Sequence, residues 1–369
     1  KIIENDKSQY IIATHSARLL KNILRDNKET NNIIHLKYEN KYTICSHMKL
    51  FDDERQNTVI NDEHASSYFA NMLLLVEGES ELQLFNNYYL KEIFPILKNI
   101  DIIKAATDNV IKKGLLPDER NYSIPYLIII DMDKVMVCKP KENKFVPNKK
   151  DGYFKEYKKE KYYYSDKRLM TYQLRKRIKG MMEKCRFHYI LPFYSCTDNN
   201  YYELIKNMKE YFLQYNIFVN STTIEGVLIN EYNMDKFWKF YNLKYKPSEE
   251  LKNYYLHIKT NDQVNLLRLL VSGKTDYILN LKQLDKIRVE LKELIEKNKI
   301  TQKTEGWISE WIKYYLCDVL KITEDEEGEK QLRKHIKKEE IREICKFELY
   351  NDFPELINIS REITKRFSN

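Results

Sequence analysis

Two apolar runs that each end in carboxylates constrain this chain most: Leu73-Leu-Leu-Val-Glu77-Gly-Glu-Ser-Glu81 and Leu127-Ile-Ile-Ile-Asp131-Met-Asp133. Apolar residues in a row, with no polar alternation, describe a strand covered on both faces, as in a parallel α/β sheet. Acids at the carboxyl ends of two such strands meet in one crevice, where open α/β sheets hold their ligands. After the first run, Gly78 lets the backbone turn sharply. Glu81 then falls four residues beyond Glu77, on the first turn of a helix whose apolar positions are Leu82, Phe85 and Tyr89. In the second run, strand alternation sends Asp131 and Asp133 to the same side. Four carboxylates in one crevice repel one another unless a cation neutralises them, and all-oxygen donors suit Mg²⁺ or Mn²⁺. Glu79 lies between the two preferred glutamates, turned away from both, and is the next candidate. A single strand-end Asp-x-Asp reads more readily as acids that end a strand and face water; the two runs together point to a metal.

In combination these residues resemble the TOPRIM domain, in which a Glu ending the first strand and an Asp-x-Asp ending a later one bind catalytic metal. The second glutamate, Glu81 after Glu77, is similar to the OLD (overcoming lysogenization defect) family of nucleases. The resemblance spans roughly residues 70–280. It implies an α/β fold, with a TOPRIM-type parallel sheet flanked by helices, that hydrolyses DNA phosphodiester bonds with one or two Mg²⁺ or Mn²⁺ ions. It further implies a metal ligand at Glu225, in Thr222-Thr-Ile-Glu225-Gly, although an acid opening a helix is also what the helix dipole favours. Lys274 corresponds to a functional lysine of the family, there to stabilise the charge that builds on phosphorus.

Residues 9–20, Gln-Tyr-Ile-Ile-Ala-Thr14-His15-Ser16-Ala-Arg-Leu-Leu, read as a short strand, Tyr10–Ala13, followed by a helix. They resemble the last core strand of an ABC-type ATPase, with His15 as the switch residue reaching the γ-phosphate. On the local pattern alone, Thr14 or Ser16 is a helix N-cap. OLD proteins carry such an ATPase before their TOPRIM domain, so the resemblance implies that the chain opens on an ATPase remnant, with ATP a ligand of the full-length protein. No Gly-x-x-x-x-Gly-Lys-[Ser/Thr] loop occurs: Ser272-Gly273-Lys274-Thr275 has Arg268 where the first glycine belongs. This segment alone therefore cannot be a working ATPase.

The expected organisation is residues 1–70 as the end of an ATPase domain plus a connector, 71–280 as the TOPRIM nuclease domain, and 281–369 as a helical C-terminal region. In the first part, Ile33–Tyr38 and Lys41–Ser46 form a hairpin about Glu39-Asn40, and Glu63–Met72 is a helical connector. In the second, helices over Leu82–Leu97 and Asn109–Leu116 alternate with strands at Ile100–Lys104 and Leu127–Ile130, and Tyr189–Phe193 is a late strand. Between Lys139 and Arg168 the pattern dissolves into Lys, Tyr and Glu and reads as a mobile insertion. Its tyrosines and basic residues either grip a nucleic-acid strand by charge and stacking or form a solvated loop. In the third, Leu281, Leu284, Ile287, Leu291 and Ile295, then Trp307 to Leu316, keep helical spacing. Glu324–Glu329 reads as an acidic loop and Arg333–Lys338 as the start of another helix, the whole region forming a wall or a dimer contact.

The charge balance agrees with a nucleic-acid partner. A net charge of +8 persists despite the acidic runs, and Lys and Arg hold phosphates that the carboxylates alone would repel. Lys- and Tyr-rich composition is also what AT-rich genomes give. The six cysteines form no Cys-x-x-Cys pair and read as reduced cytosolic thiols, and no run is long enough to span a membrane. Through the family resemblance, the expected setting is cytoplasmic antiphage defence. The expected partners are DNA or RNA, copies of the chain joined through the ATPase part, and a retron reverse transcriptase with its RNA–DNA product. Two other readings stay open: a topoisomerase or primase, and a recombination-mediator-like TOPRIM that binds without cutting. Four mutually repelling acids speak for catalysis over the last.

Overall fold

Leu73–Val76, with four apolar residues and no polar one, forms a strand (β3) in which every residue is fully buried. The computed structural model describes residues 10–26, 31–39, 41–49, 59–106, 111, 114–139, 144–147, 206–207, 209–272, 285–300 and 306–368. Strand β3 pairs in parallel with Asp101–Lys104 (β4) on one side and Tyr126–Ile130 (β5) on the other, and β5 pairs in parallel with Ile217–Val219 (β8). The order β4-β3-β5-β8 makes a four-stranded parallel sheet at the centre of an α/β fold. Ahead of it, Ile34–Glu39 (β1) and Tyr42–His47 (β2) form the expected antiparallel hairpin, and Met136–Lys139 (β6) pairs with Lys144–Pro147 (β7).

Strand alternation divides the apolar side chains between two cores. Leu74, Val76, Leu127, Ile129 and Phe218 face a large one shared with Trp307, Trp311, Tyr315 and Ile359 of the C-terminal helices. Leu73, Leu75, Ile128 and Ile130 face a smaller one closed by Leu20, Leu24, Tyr68 and Leu115. Helices on both faces explain why these strands carry no polar alternation. The wall expected of the C-terminal region is thus one face of the sheet's own core. Among the described residues, no helix is long and apolar enough to cross a membrane.

Several local expectations are corrected. Tyr10–Ala13 is not a strand: no partner strand adjoins it among the described residues, and Ile11 is 93% exposed. Ser16, the capping alternative, accepts the Leu19 N–H and opens the helix Ala17–Asp26. The stretch Leu82–Leu97 is three short helices, Glu79–Phe85, Tyr88–Ile93 and Pro95–Lys98, because Asn87 caps the second from outside and Pro95 begins the third. The acidic residues after Glu324 are not a loop. Asp325 accepts the Gly328 N–H and starts the helix Glu326–His335, whose acids suit its positive end and whose Arg333, Lys334 and His335 end it instead of beginning another. The strand expected at Tyr189–Phe193, the insertion beyond Pro147 and Lys274 lie outside the described residues, as does half of the Asn109–Leu116 helix.

Candidate functional site

The chain runs from β3 to the edge strand β4 and then returns to the other side of β3 to form β5. That reversal opens a crevice between the carboxyl ends of β3 and β5, the place where parallel sheets bind ligands. Glu77 follows β3 and Asp131 follows β5, so both stand at its edge.

Glu81 is buried on the first turn of the helix Glu79–Phe85, and its Oε2 accepts the Gly78 N–H at 3.0 Å. Gly78 itself is extended (φ −146°), a conformation open to any residue, so the sharp turn does not require glycine. What glycine supplies is room: a Cβ here would stand 3.3 Å from Glu81 Oε2. Burial pushes the Glu81 carboxyl up to about 7, and the nearby charges of Glu77 and Glu225 push in the same direction. Charges from two other elements, one of them far away in sequence, therefore reach Glu81. Glu79 points elsewhere, to Lys104 at 2.6 Å, and is half exposed.

Glu225 lies on the five-residue helix Ile224–Leu228 and is 3% exposed, so it is more than a solvated acid at a helix start. So short a helix cannot satisfy its own last carbonyls. Side chains from other elements do so. Arg268 donates to Ile229 O (2.7 Å) and Gly226 O (3.4 Å), while Trp311 and Asn233 each donate to Leu228 O (3.2 Å). Arg268, which spoils the phosphate-loop match, is thus the brace of the Glu225 helix.

Asp131 is buried, and its Oδ1 accepts Asn220 Nδ2 at 2.9 Å, from the residue that follows β8. The alternation argument for Asp131 and Asp133 does not hold: β5 ends at Ile130, and Asp133 lies on the short helix Met132–Val135. The strand stops there because Thr222 O takes the Met132 N–H (2.8 Å) and Asp131 O takes the Lys134 N–H (3.1 Å). The side chain of Asp133 lies outside the described residues. Lys134, from the same turn, reaches back across the crevice to Glu77, Nζ to Oε1 2.8 Å. His15, at the other end of the chain, is exposed, its ring 5.6 Å from that of Phe69.

The loop between β8 and the Glu225 helix is held from the C-terminal helix Pro354–Ser368. Glu355 Oε1 accepts the Ser221 N–H (2.7 Å) and Ser221 Oγ (3.0 Å) and pairs with Lys209. Glu355→Ala removes an acceptor shared by three donors and is expected to cost about 2 kcal/mol of stability. Denaturant unfolding would read this, with Glu355→Gln, which keeps the acceptor, losing about half as much.

Among the described residues, no three His, Cys, Asp or Glu side chains stand close enough together to hold a metal ion as placed. The donor set nonetheless suits a hard divalent cation: the carboxylates of Glu81, Asp131 and Glu225 are buried, that of Glu77 is half-buried, and burial, followed by the charges of Glu77 and Glu225, pushes the Glu81 carboxyl up. Two further buried oxygens beside them, Asn220 Oδ1 and Thr223 Oγ1, have no hydrogen-bond partner. Sequence reading missed Lys134, Asn220, Arg268 and Glu355. Asn220 had a signal, the short Ile217-Phe-Val run ending in a polar residue, and Lys134 adjoins the Asp-x-Asp. Arg268 and Glu355 had none.

The fold and the site together define an α/β protein with buried carboxylates at the switch point of a parallel sheet. No protein-family model matches the chain. Among solved structures it is similar to the C-terminal region of the OLD protein of Xanthomonas campestris pv. campestris, with 18% identity over 76% of this chain and 98% of that one and a TM-score of 0.24.

Proposed function

We propose that this chain is a divalent-metal-dependent nuclease that hydrolyses DNA phosphodiester bonds. The observation that carries the reading is the placement of Glu77 and buried Asp131 at the carboxyl ends of the two central strands β3 and β5, with buried Glu81 and Glu225 on the helices that follow β3 and β8. Such a cluster is unfavourable unless positive charge is brought to it. Glu77, Glu81, Glu225 and Asp131 would hold one or two Mg²⁺ or Mn²⁺ ions. When bound, these supply a water acidic enough to attack phosphorus and a charge to stabilise the leaving oxygen.

The chain's own residues do the rest. Asn220 fixes the orientation of Asp131 through Nδ2, the Gly78 N–H fixes that of Glu81, and the braces on the Ile224–Leu228 helix hold Glu225 in the crevice. The chain's net positive charge supplies the attraction for a polyanion that the carboxylates lack. Coupling to an upstream ABC-type ATPase and a role in antiphage defence are extensions of the same proposal.

The test is cleavage of supercoiled plasmid and of single-stranded DNA by the full-length protein with Mg²⁺ or Mn²⁺, beside Glu77→Ala and Asp131→Ala. Nicking or linearisation lost in both variants supports the reading. DNA binding without cleavage under any divalent cation would overturn it in favour of a binding module.

A further inference from the structure

Glu77 meets a cation of the chain's own. Lys134 and Glu77 are both mostly buried, with side chains 22% and 18% exposed. The lysine is not a wandering surface residue, because its backbone is fixed in the turn after β5 by the bonds of Met132 to Thr222 and of Lys134 to Asp131. The end of one central strand therefore sends an ammonium group across the crevice to the carboxylate at the end of the other. We infer that Lys134 is a resident counter-cation of the crevice, displaced from Glu77 when a divalent cation binds and then available to a phosphate oxygen of the nucleic-acid strand. This rests on the metal-dependent nuclease reading.

Three arguments support it. One ammonium carries a single charge, while the carboxylates of Glu77 and Glu225 both act on Glu81 and buried Asp131 stands at the end of the neighbouring strand, so it neutralises the cluster only in part. The oxygen that Lys134 holds on Glu77 is one that a hard cation would take as a donor, so metal and lysine compete for it directly. The lysine stem is long and flexible, with three rotatable donors. Once released, its partly exposed ammonium needs only to swing toward the mouth of the crevice to face an incoming phosphate, a point-charge contact for which lysine is suited. A purely structural pair predicts the opposite sign for metal binding, since loss of a strut would disorder Glu77 and weaken its hold on the ion.

The experiment measures Mn²⁺ affinity by electron paramagnetic resonance on the full chain, for the wild type, Lys134→Met, Lys134→Arg and Asp131→Asn. In parallel, binding of a single-stranded oligonucleotide is measured in Ca²⁺. Lys134→Met is expected to bind Mn²⁺ roughly three- to tenfold tighter, the range set by an ion pair of modest strength, and to bind the oligonucleotide several-fold more weakly. Lys134→Arg is expected to keep oligonucleotide binding. Lys134→Gln reads the same quantities should the methionine variant not fold. Mn²⁺ affinity that is unchanged or weaker without the lysine overturns the inference. If the wild type shows no Mn²⁺ binding that Asp131→Asn removes, the nuclease reading fails with it. Binding that depends on Asp131 but ignores Lys134 overturns this inference alone.

Discussion

Glu81→Gln is expected to raise the stability of the metal-free protein at pH 8 and, in the same molecule, to cut the proposed divalent-cation-dependent cleavage by about 10²-fold. Both effects come from one buried carboxyl pushed up to about 7 from an ordinary 4.5, first by burial and then by the charges of Glu77 and Glu225. In the folded protein Glu81 keeps a proton that the unfolded chain has already released. Its contribution to stability is therefore complete below pH 4.5 and is lost as the pH rises through 7, a change on the order of 3 kcal/mol. Glutamine has no proton to lose, so the variant escapes that decline. Denaturant midpoints measured between pH 4 and 8 in the presence of a chelator would show it. Parallel profiles for the two proteins would mean that Glu81 is not strained by its neighbours. Mn²⁺ added at pH 8 is expected to recover stability for the wild type and little for the variant, because the variant has lost the charge that the ion would satisfy.

The second large effect is expected at Gly226, in the middle of the helix that carries Glu225. A Cβ there would lie 1.8 Å from Thr222 Oγ1, 3.1 Å from Thr222 Cβ and 3.4 Å from Arg268 Cζ. The hydroxyl can rotate away. The Thr222 Cβ cannot, since its backbone carbonyl holds Met132, and Arg268 is fixed by Ile229 O. Gly226→Ala therefore pushes the Glu225 helix out of its seat, at a cost of about 3 kcal/mol for overpacking and with loss of the proposed divalent-cation binding. Adding Thr222→Ala to Gly226→Ala is expected to restore part of the stability, as contacting residues do in a double-mutant cycle. Additive losses would place the strain elsewhere.

The parallel sheet was legible because Leu73–Val76 and Leu127–Ile130 carry no polar residue, and only a strand covered on both faces tolerates that. The place of Glu81 on the first turn of the next helix was legible from its spacing to Glu77. The failures share a cause. The turn at Asp131 depends on the carbonyl of Thr222, the boundary of the Glu225 helix on Arg268 and Trp311, and the positions of Asp131 and Ser221 on Asn220 and Glu355. Each is a contact between residues distant in the chain, and local pattern carries no trace of its partner. The acidic run after Glu324 failed differently: acids that look solvated in a list of letters are favourable in the first turn of a helix. The strand expected at Tyr10–Ala13 had the right composition and no neighbour to pair with among the described residues, and composition alone does not make a strand.

Glu355 and Trp311 also set an order of events during synthesis. The loop that presents Asn220 and Glu225 is tied down by a carboxylate and an indole that the ribosome makes long after the loop itself, and the larger core of the sheet is closed by the same late helices. A nascent chain that has exposed every acid of the crevice still lacks the parts that hold them together. Whatever chemistry the crevice supports therefore begins only when the last helices have docked.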